Sequence, residues 1–145
     1  MPYELTWKLD VEVPNALKLP GTTVKLPIDA YDPIEVVIPK DTMGQEVIVE
    51  PGVAGYPVRF LMTRCIAYQV DGDKRTLAYS INAKADEKDR ITLDAQQVFI
   101  GAGAASRLND ATGTPPKSLF FYNKLDVDVT ITILVGRKAT KVHSA

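Results

Sequence analysis

Residues 3 to 13 alternate almost without fault. Tyr3, Leu5, Trp7, Leu9, Val11 and Val13 are apolar, and Glu4, Thr6, Lys8, Asp10 and Glu12 between them are polar. A period of two is the pleat of a strand with one dry and one wet face. At about 3.4 Å per residue the segment reaches about 37 Å, roughly twice an ordinary strand. A strand of that length is expected to cross a whole sandwich or to pair outside its own domain, with Pro14 ending the ladder behind it.

The same pattern continues in shorter pieces. Val24–Ile28, Ile34–Ile38 and Glu46–Glu50 read as strands, separated by Leu19-Pro20-Gly21-Thr22, Asp32-Pro33 and Glu50-Pro51-Gly52. Arg59–Val70 is apolar on both parities: Phe60, Met62, Ile66, Tyr68 and Val70 on one, Leu61, Cys65 and Ala67 beside Thr63 on the other. It is expected to be a central strand, with Asp71-Gly72-Asp73 turning it back into Thr76–Ile81 as a hairpin. Asn82–Arg90 reads as a surface connection with a helical turn, and Ile91–Leu93 and Gln97–Ile100 as strands. Gly101–Ser106 and Asn109–Pro116 read as loops. Ser118–Tyr122 and Asp126–Val135 are expected to close the chain as a hairpin, Val127, Val129, Ile131, Ile133 and Val135 forming its dry face. No repeat, linker or amphipathic helix interrupts this series of eight to ten strands. The fold class predicted is all-β, a single antiparallel β-sandwich over residues 1–145, jelly-roll-like, with residues 1–13 a pairing arm and 137–145 a flexible tail.

Composition narrows the functions. The 145 residues carry 17 basic and 18 acidic side chains with the signs interspersed, whereas a duplex-binding protein usually shows a basic stripe, so no nucleic-acid partner is expected. No apolar run approaches a membrane span and the first ten residues lack a signal-peptide core, so no membrane partner and synthesis in the cytosol are expected. The single cysteine, Cys65, excludes an internal disulfide and suits a reducing compartment.

Chemistry-bearing residues are sparse. The only histidine, His143, lies two residues from the end, where no third group is expected to orient it as a base. Cys65 lies mid-strand on an apolar parity and reads as a small hydrophobe. Asp71/Asp73, Asp86/Glu87/Asp89 and Asp126/Asp128 are carboxylate-rich, yet none has the spacing of a twelve-residue calcium loop. Gly101-Ala102-Gly103-Ala104-Ala105-Ser106 mimics a dinucleotide fingerprint without its βαβ context. No catalytic residue, cofactor or metal is therefore assigned. Arg64, a charge on an otherwise apolar parity, is expected either to find a local ion pair or bulge, or to sit at a subunit interface with Tyr3, Leu5, Trp7 and Leu9. Tyr31 and Tyr56, beside prolines in loops, are the aromatics left for stacking a sugar.

The ending Ser118-Leu119-Phe120-Phe121-Tyr122-Asn123, followed by Asp128–Arg137, resembles the final jelly-roll strands of the small β-sandwich decoration (cement) and minor structural proteins of tailed bacteriophages. The general character of the whole chain, with its proline-punctuated strands and near-neutral charge, is similar to theirs. The resemblance implies a non-enzymatic protein of the virion, made in the host cytoplasm. It would bind the major capsid protein or another virion protein through its surfaces, as a homo-oligomer and most commonly a trimer. A carbohydrate-binding β-sandwich module is the alternative.

Overall fold

A computed structural model describes residues 3–49, 57–65 and 77–137, and in them the period-two segments become twelve strands. They are β1 (Tyr3–Trp7), β2 (Val11–Val13), β3 (Leu17–Leu19), β4 (Val24–Ile28), β5 (Ala30–Ile38), β6 (Thr42–Ile48), β7 (Val58–Cys65), β8 (Leu77–Ile81), β9 (Ile91–Thr92), β10 (Gln97–Ile100), β11 (Ser118–Asn123) and β12 (Val129–Arg137). Strands account for 56% and helix for 9%, which places the chain in the all-β class.

Eight strands, β5 to β12, build the body as two antiparallel sheets ordered β10-β7-β12-β5 and β6-β11-β8-β9. Counted from β5, the first strand pairs with the eighth, the second with the seventh, the third with the sixth and the fourth with the fifth. Those nested pairings are a jelly roll, the double-sheet route to burying one apolar face of every strand. Ile131, Ile133 and Val135 of β12, Leu61 of β7, Leu77 and Tyr79 of β8, and Leu119 and Phe121 of β11 are completely buried between the sheets. Burial pushes the Tyr79 phenol well above its usual pKa, against a smaller opposing effect of the Thr63 hydroxyl. The phenol thus stays protonated, 2.8 Å from Gln97 Oε1. The edge strand β5 carries Pro33 at its middle, which removes one ladder donor and blunts the edge.

The fold corrects two expected hairpins. β7 and β8 lie in different sheets, as do β11 and β12. Turn residues specify that the chain reverses, but not the sheet to which it returns, and a sandwich buries the apolar face either way. The dry face of β12 also begins later than its pattern suggests, for Val127 precedes the strand and is exposed. Asn123 Nδ2 donates to the carbonyls of Val127 and Ile38, each at 3.0 Å, and the Asp128 carboxylate accepts the Lys40 amide at 2.9 Å. These bonds hold residues 124–128 as a loop, so Asp128 caps backbone and is not the wet face of a strand. Gly101–Ser106 is likewise more than a loop. A short helix α1 (Ala102–Ala105) and a 3-10 turn (Ser106–Leu108) bury Ala105 and Leu108 against the core. Glu50-Pro51-Gly52, Tyr56, Ile66–Val70, Asp71-Gly72-Asp73, His143 and the expected tail from residue 138 lie outside the described residues.

Two buried polar side chains cross between the sheets. Asn123, on β11, reaches Ile38 on β5 and accepts the Leu125 amide at 2.9 Å. Arg137, on β12, donates from Nη2 to the carbonyls of Val49, at 3.2 Å, and Pro116, which flank β6 and β11. Arg137 is fully buried, so the segment expected to fray begins with one of the most enclosed side chains of the body.

Ahead of the jelly roll, β1 pairs with β4 and β2 with β3, so residues 3–28 form one interrupted two-stranded ribbon. The continuous strand expected over Tyr3–Val13 is broken at residues 8–10. There the ribbon pinches: a Cβ on Gly21 would sit 2.0 Å from the Leu9 carbonyl oxygen, and the Asp10 carboxylate accepts the Gly21 amide at 2.7 Å. Only glycine permits that approach, and it displaces the ladder. The root of the ribbon lies on the outer face of β10-β7-β12-β5. Leu26, Ile28 and Phe60 form a second small core there, with Leu5, Met62, Ile100 and Leu134 packed against it. Asp29 then donates its amide to the Arg137 carbonyl at 2.8 Å and leads into β5.

Candidate functional site

The distal part of the ribbon is the most unusual surface of the molecule. At its tip Ala16 donates to the Val13 carbonyl at 3.0 Å, and Asn15 takes φ +63°, the left-handed value that a Pro-Asn type II turn requires at its third position. The turn fixes the register Val11↔Leu19, Glu12↔Lys18, Val13↔Leu17. Directly opposed residues of an antiparallel pair share a face. Val11, Val13, Leu17 and Leu19 therefore make one wholly apolar face, while Glu12 and Lys18 oppose each other on the other.

That apolar face is open. Relative exposures are 43% for Val11, 50% for Val13, 47% for Leu17 and 52% for Leu19, with Leu9 at the foot of the hairpin at 63%. Every residue from 8 to 20 is exposed. A two-stranded hairpin is marginal in water by itself, and contiguous exposed apolar surface on this scale marks a surface made to be covered. Charge is balanced along the arm: Lys8 Nζ lies 3.9 Å from the Asp10 carboxylate, and Glu12 faces Lys18. The arrangement offers apolar area and no nucleophile or proton donor.

The interface residues expected from the sequence are divided. Tyr3, Leu5 and Trp7 share one face of the ribbon root. Leu5 packs into the second core, and Tyr3 meets Tyr31 edge-on, with ring centroids 4.9 Å apart. The Trp7 ring is half-buried, and its indole N–H is enclosed without an acceptor. Leu9 stands at the foot of the exposed hairpin. Arg64 is exposed on the outer face of β7, opposite Thr132, beyond the part of that face covered by the ribbon. It needs no bulge to reach water, because the parity it shares with Phe60 and Met62 becomes outer surface once the ribbon ends. Leu17 and Leu19 complete the apolar face but were not expected there. The signal for them is the alternation Leu17-Lys18-Leu19 immediately after Pro14-Asn15.

A second concavity, about 690 Å³, lies between the Asn82–Arg90 segment and the 107–112 loop, with Lys84, Asp89 and Arg107 on its walls. Its floor is structural. Asp110 Oδ1 accepts the Thr112 hydroxyl at 2.6 Å and the amides of Thr112 and Thr114 at 2.9 and 3.0 Å; Oδ2 accepts Asn82 Nδ2 at 2.8 Å. Asn82 Oδ1 in turn accepts the amides of Lys117 and Ser118. With four donors on it, the Asp110 carboxylate has little left to offer a ligand. The Thr112 hydroxyl, then the Asn82 amide and the Thr114 backbone, hold its pKa well below the usual carboxylate range. A depressed folded-state pKa stabilises the loop above the unfolded value of about 4 and loses that contribution as pH falls below it. Hydrogen-exchange protection of the Thr112 and Thr114 amides is thus expected to drop on acidification below about pH 4, and Asp110→Asn to flatten that dependence.

Among the described residues no group of three or more His, Cys, Asp or Glu side chains is placed to hold a metal ion, and no helix is long and apolar enough to cross a membrane. Comparison of the chain with protein-family models, with curated proteins and with solved structures finds no match.

Proposed function

We propose that this chain is a non-enzymatic virion structural protein, a decoration or cement protein that stabilises the head of a tailed bacteriophage through contacts with its major capsid protein. The observation that carries this reading is the exposed apolar face of Val11, Val13, Leu17 and Leu19, held out from a closed jelly roll on a ribbon rooted in its own small core. A surface of that kind binds by covering area, which is what a shell-stabilising protein needs and what a catalytic pocket does not supply. The jelly-roll body suits the same role, being a fold used both in capsids and in lectins. The protein acts in the virion after synthesis in the host cytoplasm, with no nucleic acid, membrane or cofactor taking part. Purified protein mixed with phage heads that lack it should sediment with them and raise the temperature at which they open. Protein left entirely at the top of the gradient would overturn the assignment.

The carbohydrate-binding alternative has one observation in its favour. Tyr3 and Tyr31, each about half exposed, border a shallow apolar groove of about 300 Å³ with Leu5, Ile28 and Leu134. Saturable quenching of tyrosine and tryptophan fluorescence by an oligosaccharide, abolished in Tyr31→Ala, would favour that reading.

A further inference from the structure

We infer that the arm's apolar face is covered by the arms of sister copies of this chain, three of them packing face to face about a common axis. This rests on the reading of the arm as the working surface and names its occupant. Three features of the hairpin select a second copy.

The first is shape. Val11, Val13, Leu17 and Leu19 form a flat, evenly apolar face with no polar group to be satisfied, and the polar side chains of the hairpin are turned to its other face. The occupant must itself be flat and apolar, as this face is. The second is charge. Lys8, Asp10, Glu12 and Lys18 sum to zero, and the pairs Lys8–Asp10 and Glu12–Lys18 are each locally compensated. Arms of one sign would repel their own copies, whereas these do not, and they provide no field that would attract an acidic or basic partner.

The third is area. At the exposures observed, the four residues and Leu9 leave about 400 Å² of apolar surface open per arm. Two arms together would bury about 800 Å², below the roughly 1,000 Å² that a specific interface needs, whereas three would bury about 1,200 Å². Closure about a three-fold axis also leaves no face uncovered to propagate into a fibre.

The test uses the full chain at about 50 μM, in the range where an interface of this size is expected to be populated. Light scattering behind size exclusion should give three times the chain mass. The double variant Val13→Lys, Leu17→Lys should give the monomer mass with unchanged circular dichroism and melting, because both side chains are exposed in the free chain. Val13→Cys should be trapped as covalent multimers by a short bis-maleimide, since packed arms bring their tips together while Cys65 is buried. A wild-type monomer, a double variant that remains trimeric, or a trimer that Val13→Cys does not cross-link would overturn the inference, the last by placing the arm on a neighbour's body. Heads separate this from the proposed function. A trimer that ignores heads leaves the inference standing and removes the function; a monomer that binds heads does the reverse.

Discussion

Arg137→Ala is expected to lower the stability of the fold by about 3–5 kcal/mol, a large part of the 5–15 kcal/mol typical of a domain. The guanidinium is fully buried at the end of β12 and donates to the carbonyls of Val49 and Pro116, so one side chain ties one sheet to segments flanking two strands of the other. Truncation removes the donors, leaves both carbonyls without that partner in a dry site, and opens a cavity the length of an arginine. Each effect is destabilising separately, and they act together. In a chain of this size the melting temperature should fall by roughly 10 °C. Arg137→Met, which refills the volume without restoring the donors, should recover about half of the loss. Thermal melts followed by circular dichroism read both variants. A change of less than about 1 kcal/mol in Arg137→Ala would show that the clamp contributes little.

The body of the protein is largely legible in its pattern, and the reasons can be traced to particular strands. Val24–Ile28 and Gln97–Ile100 appear with the bounds expected, and Val129, Ile131, Ile133 and Val135 form the buried face that their alternation implies. Those positions sit on pleats with one wet face, where period two and burial coincide. What the pattern does not carry is the sheet to which a strand returns. Both expected hairpins fail for that reason, since reversal is local and sheet choice depends on contacts far along the chain. Arg137 is missed because a charge at the end of an apolar run looks like the edge of the core, and only the carbonyls of Val49 and Pro116 make it an interior residue.

The arm is half legible. Its opening alternation is plain, but Leu17-Lys18-Leu19 is too short to announce a strand between Pro14-Asn15 and Pro20-Gly21. The break at residues 8–10 arises from Gly21, eleven positions beyond Asp10. The exposed tyrosine at position 31 stands where its neighbouring prolines suggest, although its contact with Tyr3 depends on the ribbon folding back.

Excising the arm should abolish assembly while sparing the fold. Trp7 and Val24 are opposed in register, so replacing residues 8–23 with Asn-Gly closes β1 onto β4 through a two-residue turn of the kind antiparallel strands favour. The second core of Leu26, Ile28 and Phe60 keeps its cover from Leu5. Removing residues 1–13 outright would strip that cover as well and confuse loss of binding with loss of stability. The excised variant should melt within about 2 °C of the intact protein, the range left when only exposed residues are removed. It should also lose at least tenfold in affinity for heads, since little apolar surface remains to be covered at that site.

Sedimentation of the intact and arm-excised proteins with phage heads puts this to the most direct test. Intact protein on the heads, with the folded variant left in the supernatant, is the expected result. Equal occupancy by both would contradict the assignment of the Val11–Leu19 face as the surface through which the protein works.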